Sequence, residues 1–200
     1  ARQVWQVYLE KALGGDEKSF DTAYQYARTA QERATVHEAQ AQLYLSRGEL
    51  KRAAQYYAKT SSPFEEVVLK LLQTSDDGVT AAAHDLSASP NSFEFAVTNA
   101  LELEALQVSL DEKVRSLPTA DKSQRTMLCT WLMEVLLHRI EGPVSATVSP
   151  VTVGDLHAFL RSFRGSLDPA TTYNMLGAHG RRDSVLYFAS AIGDYAMVVS

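Results

Sequence analysis

Apolar side chains along this chain recur three and four positions apart far more often than they alternate. The first spacing lines one face of a helix, whereas alternation lines one face of a strand. Phe20, Ala23, Tyr24 and Ala27 form one stripe. Leu50, Ala53, Ala54, Tyr57 and Ala58 form a second, and Phe64, Val67, Val68, Leu71 and Leu72 a third. Leu101, Leu103, Leu106, Val108, Leu110, Val114 and Leu117 predict a helix over 100–117, stopped by Pro118. Leu128, Trp131, Leu132, Val135 and Leu136 mark the longest helix. Leu156, Phe159, Leu160 and Phe163 mark the next, and Val185, Phe188, Ala189 and Ile192 the last clear one.

Most of these segments are about 10–16 residues long, a length at which an isolated helix is marginal because nucleation is costly. Stability must therefore come from packing each apolar face on a neighbour. Gly14-Gly15 and Gly48 fall between stripes, and Ser62-Pro63 places proline where a first helical turn accepts it. The connections around 13–16, 29–31, 47–49 and 60–63 are short, so consecutive helices are predicted to be antiparallel neighbours. Gly142-Pro143 and Ser149-Pro150 bracket a loop expected over 141–151. The stretch 75–99, with Asp76-Asp77-Gly78, Ser87-Ala88-Ser89 and Pro90-Asn91-Ser92, is the least regular and reads as an insertion.

At an offset of 30 positions, Phe20, Ala23, Tyr26 and Ala27 align with Leu50, Ala53, Tyr56 and Tyr57. Gly48-Glu49-Leu50 and Gly193-Asp194-Tyr195 form a second echo, each a turn residue, an acid and an apolar anchor. Repeated helical pairs indicate an all-α chain, an α-solenoid of stacked antiparallel helical hairpins, expected as a single unit over 1–200. The chain opens at Ala1 and ends within an amphipathic pattern, so both ends are expected to be boundaries inside a longer protein.

Composition narrows the function. A 46% hydrophobic content supports a buried core, and the formal charge of -5 opposes nucleic-acid binding, which depends on clustered Lys and Arg. Cys129 is the only cysteine, so neither an internal disulfide nor a multi-thiolate zinc site is expected. No apolar run approaches the roughly 18 to 20 residues of a membrane helix, so direct membrane insertion is not expected.

Candidate chemistry is sparse. Phosphate-binding loops need several glycines ahead of a helix; Gly14-Gly15-Asp16 reads instead as a turn and helix start. The histidines stand apart at positions 37, 84, 138, 157 and 179, without the paired spacing of a helical zinc site. His37, His138 and His157 read as surface or core-edge residues, and His179-Gly180 as a helix C-terminal turn. Asp76-Asp77-Gly78 lacks the remaining ligands of a calcium loop, and His84, Asp85 and Ser87 are merely adjacent. Cys129 reads as a small core residue. Trp5 and Trp131 read as packing anchors, with truncation of a buried Trp131 expected to cost about 3–5 kcal/mol. No catalytic residue, cofactor or metal is expected, and the chain is read as a non-enzyme. Arg161, Arg164, Arg181 and Arg182 form the one notable basic group and the candidate surface for an acidic protein partner.

Leu176-Gly177-Ala178-His179-Gly180, Tyr187-Phe188-Ala189, Asp194-Tyr195 and Val198-Val199 carry a resemblance, as do three further segments. These are Val4-Trp5 with Tyr8-Leu9, then Tyr57-Ala58-Lys59-Thr60 with Phe64-Glu65-Glu66 and Leu69-Lys70, then Thr130-Trp131-Leu132 with Glu134. Together they resemble the helical arm of the vacuolar protein sorting-associated protein 18 family, in the family's order; 76–99 departs from it as a longer stretch. The resemblance implies a structural and protein-interaction segment of the HOPS and CORVET tethering complexes, which join endosomal, lysosomal or vacuolar membranes before fusion. It implies other core subunits of those complexes as partners, with Rab GTPases and SNAREs reached indirectly. The implied location is cytoplasmic, peripheral on late endosomes, lysosomes or vacuoles. The family's N-terminal β-propeller and C-terminal RING find no counterpart in these residues. The alternative is a coat-type or tetratricopeptide-like solenoid that binds peptides or partner proteins in another trafficking complex.

Overall fold

The computed structural model describes residues 3–60, 62–72, 100–118, 121–142, 148–194 and 196. The insertion expected at 75–99, with His84 and the Asp76-Asp77-Gly78 turn, lies outside these residues, as does the middle of the loop expected at 141–151. Among the described residues there are ten helices and no strand. They are α1 (Val4–Leu13), α2 (Ser19–Tyr26), α3 (Ala30–Ser46), α4 (Leu50–Tyr57), α5 (Phe64–Leu72), α6 (Ala100–Ser116), α7 (Lys122–Glu141), α8 (Val153–Phe163), α9 (Pro169–Ala178) and α10 (Arg182–Ile192). The chain divides into two compact units, Ala1–Ser109 and Leu110–Ser200.

In the first unit α1 packs on α2 and α3 on α4, with α2 and α3 also in contact and α5 following against α4. Trp5, Ala12, Phe20, Ala23, Ala27 and Val36 form a core between α1, α2 and α3. Small residues there let the helix axes approach, and Trp5 and Phe20 fill the remaining volume. Ala53, Ala54 and Tyr57 on α4, with Phe64, Val67, Val68 and Leu71 on α5, bury the stripes that the spacing predicts. Tyr24 departs from its stripe: it is exposed, and its ring lies 4.7 Å from that of His37. Ion pairs tie separate helices, Lys70 to Glu38 at 3.3 Å and Lys51 to Glu104 at 3.0 Å.

In the second unit α7 packs on α8 and α9, and α10 packs on α8 and α9. His157 faces Ser184 and Arg161 faces Tyr187, so α8 and α10 run in the same direction. α7 buries Leu128, Cys129, Leu132, Met133, Val135, Leu136 and Leu137. Leu156, Leu160, Leu176 and Phe188, each fully buried, complete the core. Trp131 corrects the sequence expectation, because it is only half-buried: Leu132 and Val135 turn the face inward and leave the indole at its margin.

Local signals fix the helix ends. Thr29 and Glu32 cap α3 reciprocally, as Thr152 and Asp155 cap α8. Asp168 accepts from Thr171 N–H ahead of Pro169 at the start of α9. The two glycine echoes share one geometry: Gly48 and Gly193 have φ of 75° and 76°. The following amides, Glu49 N–H and Asp194 N–H, donate back to Tyr44 O at 2.9 Å and Ala189 O at 2.8 Å. That six-to-one bond closes a helix with a left-handed residue, which glycine supplies without a Cβ penalty.

Candidate functional site

In the second unit the fold assembles two polar constellations, and the first begins from helix register. Glu134 and His138 stand four apart on α7 and so share a face. His138 Nε2 lies 3.2 Å from Glu134 Oε1. His179 is the C-cap of α9. The turn that follows, with Gly180 at a φ of 64° and Arg181 N–H donating to Leu176 O at 2.8 Å, leaves its ring against α7. His179 Nδ1 then lies 3.0 Å from Glu141 Oε2, and Nε2 lies 3.4 Å from Glu134 Oε1. The two imidazoles meet edge to face with centroids 5.3 Å apart. Arg181 Nη2 stands 3.6 Å from the other oxygen of Glu141.

Two histidines read as separate in sequence thus share one carboxylate. The four-residue spacing of Glu134 and His138 was visible in the chain, but the arrival of His179 depends on how α9 packs on α7, which no local pattern carries.

The four arginines are placed in two different settings. Arg161 donates to Tyr187 Oη from Nε at 2.8 Å and from Nη2 at 2.6 Å, and Arg164 Nη1 donates to Arg161 O at 3.1 Å. Tyr187 in turn stacks on His157, with centroids 4.0 Å apart and planes 3° from parallel. Arg161 is therefore a strut between α8 and α10. Arg181 pairs with Glu141, and Arg182 begins α10 with an exposed side chain. Because α8 and α10 run alike, Arg182 belongs to the His157 end, and Arg164 lies about 10 Å further along at 1.5 Å per residue.

Other titratable groups read as structural. Burial pushes the Cys129 thiol up to about 11, far from the thiolate a reactive cysteine needs. Burial, and then donation to Asp194 Oδ2 at 2.9 Å, pushes the Tyr173 hydroxyl up to about 12. Hydrogen bonds from Thr171 hold the Asp168 carboxyl below its ordinary range, and those from Thr152 do the same for Asp155.

Comparison with known proteins settles the family. A family model described as the VPS18 alpha-solenoid domain, first half, matches residues 6–194. The chain belongs to the VPS18 alpha-solenoid family. It is 28% identical over 209 residues to vacuolar sorting protein 18 of Arabidopsis thaliana, covering 99% of this chain and 18% of that protein. The vacuolar protein sorting-associated protein 18 homolog of Danio rerio is 28% identical over 221 residues, covering 100% of this chain and 18% of that protein. Vacuolar membrane protein pep3 of Schizosaccharomyces pombe is 24% identical over 209 residues, covering 99% and 20%. The chain thus spans about a fifth of the length of the curated relatives it matches. The family resemblance read from the sequence holds across nearly the whole chain, and with it the all-α solenoid class.

Proposed function

We propose that this chain is a structural and protein-interaction segment of a multisubunit membrane-tethering complex of the HOPS and CORVET kind, acting in vacuolar or lysosomal sorting. The observation that carries the reading is the family match over residues 6–194, joined to relatives whose names place them in vacuolar sorting or at the vacuolar membrane. The physics supports it: helical pairs whose cores bury one face each leave the opposite faces for partners. Among the described residues no helix is long and apolar enough to cross a membrane, which agrees with peripheral attachment through the complex. The role is positional rather than catalytic, with other core subunits as direct partners and Rab GTPases and SNAREs reached through them. Arg164 and Arg182, exposed at opposite ends of the α8–α10 pair, are offered as points of charge contact, whereas Arg161 and Arg181 serve internal contacts as well.

The test is a segment exchange. The matching stretch of Schizosaccharomyces pombe pep3 is replaced by these residues, and vacuolar sorting is scored in cells lacking the native protein. Restored sorting supports the reading. A stably expressed chimera that joins the complex yet leaves sorting no better than deletion of the stretch counts against it.

A further inference from the structure

We propose that Glu134, His138 and His179 form a binding site for one divalent transition-metal ion of the zinc class, which fastens the end of α9 to α7. The donor atoms of the three side chains all lie within 4.8 Å of one another. A tetrahedral zinc ion with ligand bonds of about 2.0–2.1 Å separates neighbouring ligand atoms by about 3.3 Å. The edges from Glu134 Oε1 to His138 Nε2, 3.2 Å, and to His179 Nε2, 3.4 Å, already have that length. Two histidines and a carboxylate, with a fourth position left to water, are a ligand set that zinc accepts.

The surroundings orient the ligands. With its Nδ1 hydrogen directed at Glu141 Oε2, 3.0 Å away, a neutral His179 ring would present Nε2 to an ion held beside Glu134 Oε1. A carboxylate behind a ligating histidine fixes its tautomer and raises its basicity, and Arg181 steadies Glu141 from the other side. Two carboxylates, Glu134 and Glu141, touch the histidines while Arg181 pairs with only one of them, which favours a cation. The ligand side chains are 21%, 36% and 13% exposed in the order Glu134, His138, His179, so an ion can enter without unfolding the helices. Imidazole selects zinc, cobalt, nickel or copper, whereas calcium and magnesium require oxygen ligands.

The whole 200-residue chain, stripped with a chelator, is titrated with Co²⁺ and followed by its visible ligand-field bands, then by Zn²⁺ displacement and calorimetry. The expected result is one ion per chain with micromolar affinity or tighter, Co²⁺ displaced by Zn²⁺, and no competition from Ca²⁺ or Mg²⁺. His138→Ala and His179→Ala each lower affinity by more than about tenfold, and Glu141→Gln lowers it by about 10–100-fold. His157→Ala, on α8, leaves it unchanged. Circular dichroism confirms that every variant stays helical. A helical wild-type chain that shows no bands, or binds only at millimolar metal, overturns the proposal. So does uptake that survives the His138→Ala/His179→Ala double variant, which would place the ion elsewhere.

Discussion

Removing one oxygen atom should make this chain more stable. Tyr57 is 1% exposed on the inner face of α4, and among the described residues its hydroxyl has no hydrogen-bond partner. Burial, aided by the charges of Glu38 and Glu66, pushes its ionisation above the ordinary tyrosine value, with the nearby Lys70 ammonium, 5.4 Å from the ring centroid, opposing that shift. A buried hydroxyl without a partner costs about 1–3 kcal/mol of lost solvation. Tyr57→Phe removes that cost and keeps the ring and its contact with Lys70. The vacated volume is smaller than a methylene, so the cavity loss is about 0.3 kcal/mol at ~24 cal/mol per Å³. The net effect is about 1 kcal/mol in favour of the folded state, which for a chain of this size raises Tm by about 2–4 °C. Thermal unfolding by circular dichroism reads the shift, and amide exchange across α3, α4 and α5 shows whether the gain is local to the first unit. A lowered Tm, or protection lost around α4, would refute the reasoning, since it would mean that the hydroxyl holds a polar contact.

Further outcomes follow from the same packing. Leu160→Ala, at a fully buried position in the second unit, should cost about 2–5 kcal/mol, whereas Trp131→Ala should cost less than Phe188→Ala because the indole is half-buried; chemical denaturation of the three variants ranks them. His37 lies between the Tyr24 and Tyr56 rings, and burial, then the charge on Lys59, depresses its pKa below the ordinary 6.5. Its folded pKa being the lower, the unfolded chain binds the proton first, so stability should fall as pH drops below about 6.5 and level off once the folded form also protonates. A His37→Gln chain that keeps the full slope would contradict this. Cys129, fully buried with its thiol pushed up to about 11, should resist iodoacetamide in the native chain and react completely in denaturant, as mass spectrometry would show.

The helices with one strong stripe were readable because burial and periodicity coincide there. α4, α5, α8 and α10 sit where their spacing puts them, and Pro118 ends α6 two residues after Ser116. Glycine turns were readable too, since Gly48 and Gly193 adopt the positive φ that their sequence echo implies. α3 carries no sharp stripe: its buried residues include Gln40 beside Val36, Ala41 and Tyr44, and it touches α1, α2 and α4. A helix with contacts on several sides loses the contrast on which periodicity depends. Trp131 shows the converse, an aromatic in register with a stripe but placed at its edge. The Glu134, His138 and His179 group was legible only in part, because its third member arrives through the packing of α9 on α7. The arginines were legible as a charge group in sequence, but not as a strut on Tyr187 and a partner of Glu141.

In the proposed role these helices present an interaction surface within a tethering assembly. Its most direct measurement is binding of the purified 200-residue chain to each individually purified core subunit of a HOPS- or CORVET-type complex, with an Arg164→Glu/Arg182→Glu chain in parallel. The expected result is a saturable one-to-one complex with at least one subunit, and slower association with steeply altered salt dependence in the reversed chain. A fully helical chain that binds none of the subunits at any salt concentration would contradict it, leaving the segment a spacer without an interface of its own.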